Sequence, residues 1–258
     1  MKFLMFYLCL FFFKATFLIS EYSRPSHISE NSWSQAAPYF LPQSHPIKMQ
    51  LDEIFKKQRA VLSTKSMKKA GFIKTNPQKV TRVFVTRHKN IPGYIFKIYL
   101  DSQRAHKNKP EDFFWIKRIE GALAIASLLQ EKNWESSFKV PKKWIYPLPA
   151  KPNPPSSFRR INYILVEEDM DLLSTEANKC KWGSQKIDEQ LLIKLHTILE
   201  TLGLRDCAKP DNIPFSKDGK IAFIDTQSHH EWPISYNKLS KYLTKSLQKK
   251  WKLITKNK

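Results

Sequence analysis

The chain has 258 residues, only three cysteines and a formal net charge of +21. This length admits one domain, or one domain of two small lobes, and 41% hydrophobic residues are enough to give it a core. The few cysteines exclude a disulfide-stapled scaffold, and no Cys/His spacing suits structural zinc. The basic balance favours anionic partners, while the lack of any nucleic-acid-binding motif makes nucleic acid an unfavoured one.

In chain order, Met1-Lys2 precedes the apolar run Phe3–Phe13, and Lys14 then breaks that run. A short positive start and about eleven apolar residues fit a signal peptide or an uncleaved anchor over 1–20, so a secreted or membrane-anchored protein is expected. Residues 21–50 carry Pro25, Pro38, Pro42 and Pro46 and read as a polar linker. A folded domain is expected over 51–258. A helix from Leu51 to about Lys69 has Ile54, Val61 and Leu62 as its apolar stripe.

Two β-rich runs, 80–86 and 94–100, flank a turn at Lys89–Gly93 and predict an antiparallel pair. A helix over about 111–131 follows, with Ile116, Ile119, Leu123, Ala126 and Leu129 recurring at three and four. Strands are expected at Lys143–Tyr146 and Ile161–Val166. The strongest helical pattern covers 186–202, with Ser184 to cap its start and Gly203 its end. A loop at 205–212, a short strand near Ile213–Phe215, a turn at Asp218-Gly219 and a strand at Lys220–Ile224 follow as a hairpin. The tail, 238–254, has an apolar side (Leu239, Tyr242, Leu243, Leu247, Trp251) flanked by Lys241, Lys245, Lys249 and Lys250. Such a helix can dock on its own domain or lie on an anionic membrane surface; docking is expected, because the second lobe is short.

The segment from Arg205 to Asp225 carries the chemistry. A long helix delivers a loop with Asp206, Lys209, Asp211 and Asn212, and a hairpin then ends on Asp225. Phosphoryl transfer uses such groups: one Asp orients the attacking hydroxyl, an Asn and a second Asp hold Mg²⁺, and a Lys neutralises developing charge. His229-His230-Glu231 is set aside as a metal site, because adjacent histidines on an extended chain point apart.

This stretch resembles the protein-kinase-like superfamily, whose catalytic loop reads H-R-D-x-K-P-x-N before a hairpin and D-F-G. Leu204-Arg205-Asp206 stands in place of the first three residues, Lys209-Pro210-Asp211-Asn212 matches the next four, and Asp225 lies thirteen residues past Asn212. The resemblance implies an α+β, two-lobed kinase-like fold with an antiparallel N-lobe sheet (about 51–166) and a reduced helical C-lobe (about 167–258). It implies ATP and Mg²⁺ as cofactors and a protein or small molecule as phosphate acceptor. Asp206 would be the catalytic base and Lys209 would sit by the transferred phosphate. Asn212 and Asp225 would be Mg²⁺ ligands. Lys97 in Ile95-Phe96-Lys97-Ile98 would contact the nucleotide phosphates and pair with Glu120, with Glu111 in reserve. Val166, Glu167 and Glu168 would form the hinge, their backbone facing adenine.

The chain departs from the pattern at several points. Leu204 replaces histidine, the loop is one residue longer, Thr226-Gln227 follows Asp225, and no G-x-G-x-x-G precedes Lys97. Two other readings therefore stand beside the enzyme: a kinase-fold binding module with a degenerate site, and an exported basic protein that binds anionic lipid or nucleic acid.

Overall fold

The computed structural model describes residues 22–75, 83–103 and 110–256. The export segment 1–20 and the start of the first expected strand, 80–82, lie outside the described residues. The fold is α+β. The first part contains α1 (Glu30–Ala36), α2 (Lys48–Lys57), α3 (Thr64–Lys69), β1 (Phe72–Lys74), β2 (Phe84–His88), β3 (Ile91–Ile98) and α4 (Glu111–Lys132). Next come β4 (Phe138–Lys139), β5 (Lys143–Pro147) and β6 (Tyr163–Glu168). The remainder holds α5 (Thr175–Trp182), α6 (Glu189–Thr201), β7 (Ile221–Ala222), α7 (Asn237–Ser240) and α8 (Lys245–Ile254).

Five strands form an antiparallel sheet in the order β1-β2-β3-β6-β5. The register sets what each face carries. Lys97 lies opposite Leu165, Leu165 opposite Ile145, and Glu167 opposite Lys143. Side chains at paired positions share a face, so Lys97, Lys143 and Glu167 all project from one side of the sheet. Phe96, Val166 and Trp144 project from the other. There Phe55 and Phe72 stack against Tyr146 and Phe96, and His45 against Trp144.

The supposed linker is part of this lobe. Ile28, Ala36, Leu41 and Ile47 are all buried, and Leu41 N–H donates to the Ile145 carbonyl at 2.8 Å, covering the β5 edge. The prolines mark turns between short apolar anchors rather than a solvated tether, so the domain boundary moves upstream to at least Ile28. The helix expected over 51–69 is two helices separated by a 3₁₀ turn at Ala60–Leu62, and the Ser63 side chain caps the second by accepting from Ser66 N–H.

Helix α4 keeps its expected bounds but turns a different face inward. Trp115, Arg118, Ile119, Gly121, Ala122, Ile125 and Leu129 are buried, whereas Leu123 is 56% exposed. Counting only apolar residues misplaced the stripe, because an arginine and a glycine belong to it. The helix spans both lobes: Trp115 and Ile119 lie in the first hydrophobic cluster, Ile125 and Leu129 in the second.

The second cluster is built on α6. Asp188, rather than Ser184, caps this helix by accepting from Leu191 N–H, and Gly203 closes it with φ +59°. The tail breaks into α7 and α8, with Thr244 capping the latter. Leu239, Leu243, Leu247 and Trp251 are buried in one cluster with Leu192, Leu195 and Ile198. The apolar side of the tail therefore docks on its own domain. Among the described residues no helix is long and apolar enough to cross a membrane.

Candidate functional site

Beneath the sheet, five charged side chains from five segments meet. Lys97 Nζ on β3 donates to the Ile224 carbonyl at 2.7 Å and pairs with Glu167 Oε1 at 3.0 Å. Lys143 Nζ on β5 lies 3.3 Å from Glu167 Oε2, 3.1 Å from the Ile224 carbonyl and 3.3 Å from Thr226 Oγ1. Arg118 on α4 pairs with Asp225 Oδ1 and donates to Gln227 Oε1. The Lys97, Lys143, Glu167 and Arg118 side chains are buried, while that of Asp225 is 38% exposed, so the cluster opens to solvent at Asp225.

The cluster shifts two of its members, Asp225 and Lys143. Burial by itself would raise the Asp225 carboxyl, but Arg118, then Lys97 and Lys143, hold it well below the usual carboxylate range. Burial lowers Lys143 to about 8, against the pull of Glu167.

The loop after α6 reaches the same point. The Ile224 N–H donates to the Asn212 carbonyl at 3.0 Å, and Cys207 Sγ donates to the Asp225 carbonyl at 2.9 Å. Asn212 Nδ2 donates to the Asp206 carbonyl at 2.9 Å, and Asp206 N–H to Ser228 Oγ at 3.0 Å. These bonds bring the main chains of Asp206, Asn212 and Asp225 close together. Glu231 N–H donates to the Gly203 carbonyl at 2.8 Å, which fixes the start of the loop. The Asp206 carboxylate pairs with Lys238 Nζ at 2.6 Å, and both side chains are over 40% exposed. The Lys209 carbonyl accepts from Asn212 N–H at 2.9 Å, so its main chain shapes the turn, but the ion pair of Asp206 is with Lys238. Burial pushes the Cys207 thiol up to about 12, which leaves it a packing residue rather than a nucleophile.

Several expected roles change. Glu120 does not pair with Lys97: it lies on the exposed side of α4 and accepts from the Tyr39 hydroxyl at 3.0 Å. Glu111, the reserve partner, instead accepts from the Asn162 and Tyr163 amides at 2.5 and 2.9 Å. Glu167 supplies the acid that Lys97 was expected to find on the helix. Nor does Val166-Glu167-Glu168 present its backbone to a ligand. β6 is flanked by β3 and β5, and the Glu168 and Asp169 amides donate to the carbonyls of Lys142 and Gly93. The crossing between lobes begins beyond them, and Leu173 N–H donates to the Phe215 carbonyl at 2.9 Å. His229 and His230 do not point apart. His230 has φ +56°, and the two rings sit with centroids 3.9 Å apart.

Arg118, Lys143 and Lys238 escaped the sequence reading. For Lys143 a signal existed, since its strand places it opposite Glu167 once the register is known. For Arg118 the signal was its position one helical turn before Ala122, on the side of α4 that Trp115 and Ile125 bury.

The two residues expected to bind a metal, Asn212 and Asp225, are both oxygen donors. The Asp225 carboxylate is ionised and partly open, and a guanidinium already stands beside it as its cation. The Asn212 amide nitrogen donates to the Asp206 carbonyl, and its Oδ1 is the atom that could act as an oxygen donor. Among the described residues no group of three or more His, Cys, Asp or Glu side chains could hold a metal. A cation here would complete its shell with water and phosphate oxygens, as Mg²⁺ commonly does.

A scan against protein-family models and a search of curated proteins gave no match. Among solved structures, the chain is similar to one described as the complex of Rv3197 with erythromycin from Mycobacterium tuberculosis, at 15% identity and a TM-score of 0.38. The match covers 79% of this chain and 55% of that one, so this chain spans about half the length of that structure.

Proposed function

We propose that this chain is an ATP- and Mg²⁺-dependent phosphotransferase of kinase-like fold, exported from the cytoplasm, acting on a protein or small-molecule acceptor. The observation that carries this reading is the convergence of Lys97 and the Asp206–Asn212 loop on Ile224-Asp225, from positions more than a hundred residues apart. Lys97 and Asp225 are the groups that bind phosphate and metal in such a site, and here they are adjacent. Lys97, held by Glu167, would bind the nucleotide phosphates. Asn212 and Asp225 would hold Mg²⁺, which would draw off charge from the phosphates. Asp206, half-exposed at the opening, would orient the acceptor hydroxyl and take up its proton.

The test is a thermal melt of the full chain with and without Mg·ATP. Mg·ATP is expected to raise the melting temperature, and Asp225→Ala to abolish that rise while the ligand-free variant stays folded. An unchanged shift in Asp225→Ala would refute the site. Export is tested by fractionating a tagged protein in its native cells; retention in the cytosol with Met1 intact would overturn it.

A second reading is a kinase-fold binding module without turnover. It is favoured by Arg118 lying on Asp225 and by the lack of a glycine-rich loop before Lys97. A nucleotide-dependent melt with no phosphate release or transfer under any divalent cation would select it.

A further inference from the structure

Three buried cations, Lys97, Lys143 and Arg118, face two acids, Glu167 and Asp225, so the cluster carries a surplus of 3 − 2 = +1. Buried charge is costly unless matched. The surplus sits at a cluster that opens to solvent at Asp225, so the balancing anion can come from outside. Among the three cations Arg118 has bonding capacity to spare, because its Nε is buried with no hydrogen-bond partner. A planar guanidinium also matches phosphate oxygens better than an ammonium does.

The backbone that carries Arg118 is held beside Asp225. The Thr226 hydroxyl donates to the Arg118 carbonyl, and at Gly121 an added Cβ would fall 2.3 Å from the Thr226 carbonyl oxygen. Helix α4 is thus pinned against the chain that follows Asp225, and Lys117 adds a 2.6 Å bridge to Glu231. If a divalent cation takes Asp225, Arg118 loses its acid but stays in place beside it.

We propose that Arg118 is a phosphate-binding residue of this site: it holds Asp225 while no divalent cation is present, and turns to the phosphate oxyanions of a polyphosphate ligand when a cation takes Asp225. This rests on the phosphotransferase reading. It adds a phosphate ligand from α4, where the kinase-like resemblance places an acid. The two occupants of Arg118 compete, and this gives opposite signs for metal and phosphate.

The experiment titrates the full chain with Mn²⁺ alone, tripolyphosphate in saturating Mn²⁺ and Mg·ATP, in wild type, Arg118→Gln, Arg118→Lys and, as a control at the exposed end of α4, Lys132→Gln. Arg118→Gln is expected to weaken tripolyphosphate and Mg·ATP about tenfold or more, the loss of a charged hydrogen bond. The same variant is expected to tighten Mn²⁺, because Asp225 loses its competing cation. Arg118→Lys, which keeps the charge and serves if the glutamine variant does not fold, is expected to weaken tripolyphosphate severalfold through loss of the fork. Lys132→Gln should move none of the three. If the Arg118 variants weaken Mn²⁺ together with phosphate, or leave phosphate unchanged while wild type binds Mg·ATP, the proposal is wrong and the phosphotransferase reading survives. If wild type takes neither Mn²⁺ nor Mg·ATP, both fall.

Discussion

The two lobes solve the problem of burial in opposite ways. The sheet lobe with α4 buries Lys48, Lys97, Asp101, Asp112, Arg118, Lys143 and Glu167, whereas the buried polar residues after Glu167 are Asn178, Asn212, Ser216, Thr226, Ser228 and His229, with no acid, lysine or arginine among them. Charge is expensive to bury unless paired and hydrogen-bonded, so the first lobe trades stability for a charged floor under its sheet. The second lobe holds the site from below with apolar packing, and its two acids at the opening, Asp206 and Asp225, stay partly exposed. The lobes should therefore answer differently to truncation, substitution and pH.

The largest expected effect is in the helical lobe. Leu239, Leu243, Leu247 and Trp251 bury against α6, at about 1.5–3 kcal/mol each. Ending the chain at Tyr236 removes all four, a loss comparable to the whole stability of a typical domain, about 5–15 kcal/mol. Expression of that truncation should give no soluble folded protein. A truncated chain with a normal cooperative melt would show that the tail is an appendage, and would break the contrast at its start.

Next comes Glu167→Gln, which leaves Lys97 and Lys143 buried without their shared acid. Breaking such a pair costs about 3–5 kcal/mol. Leu195→Ala in the other lobe leaves a cavity at a similar cost, about 2–5 kcal/mol. Urea midpoints at pH 7 and pH 10 separate them. A lysine with a lowered folded pKa binds fewer protons folded than unfolded between about 8 and the usual 10.5, so its penalty eases as pH rises through that window. Glu167→Gln should regain stability at pH 10 relative to Leu195→Ala. Parallel losses at both pH values would mean the lysine cluster is not what Glu167 supports.

Smaller still is the effect of Glu111. Burial raises its carboxyl from the usual 4.5 to about 7, against the pull of the Asn162 and Tyr163 amides. Between those two values the folded state holds a proton that the unfolded state has lost, so stability falls as pH rises from about 4.5 to about 7. Glu111→Gln should flatten that decline, by on the order of 1–3 kcal/mol. A decline that survives the substitution, read from urea midpoints across this range, assigns it to another group.

What could be read from the sequence was what is local. The alternation around Lys97 and the periodicity of α4 are set within a few residues, and both elements formed near their expected bounds. The spacing of Asn212 and Asp225 marked two groups that the fold brings together. What failed depends on partners far away in the chain. Glu167 faces Lys97 only because β6 pairs with β3 in one register, and a slip of one residue would turn it to the opposite face. Arg118 and Gly121 lie on the buried face of α4 because Asp225 and Thr226 pass beneath it, so an apolar count alone gave the wrong phase. Residues 22–50 hold one two-turn helix, α1, that buries Trp33 and Ala36, and otherwise single buried side chains between turns, too little to carry a readable period.

The smallest effect gives the sharpest separation of folding from chemistry. Lys238 and Asp206 form an ion pair at 2.6 Å with both side chains over 40% exposed. Water and salt screen such a pair, and the two side chains lose rotamer freedom to make it, so its net worth is about 0–1 kcal/mol. The loop does not depend on it: Asp206 is fixed through its main chain by Ser228 Oγ and Asn212 Nδ2. Lys238→Ala should therefore leave the urea midpoint nearly unchanged and lose nothing further in high salt. Loss of the cation beside the Asp206 carboxylate should change the rate of any phosphoryl transfer while the fold stays as it is. A clear drop in the urea midpoint would make Lys238 a strut of the helical lobe, and that lobe would then depend on charge as the sheet lobe does.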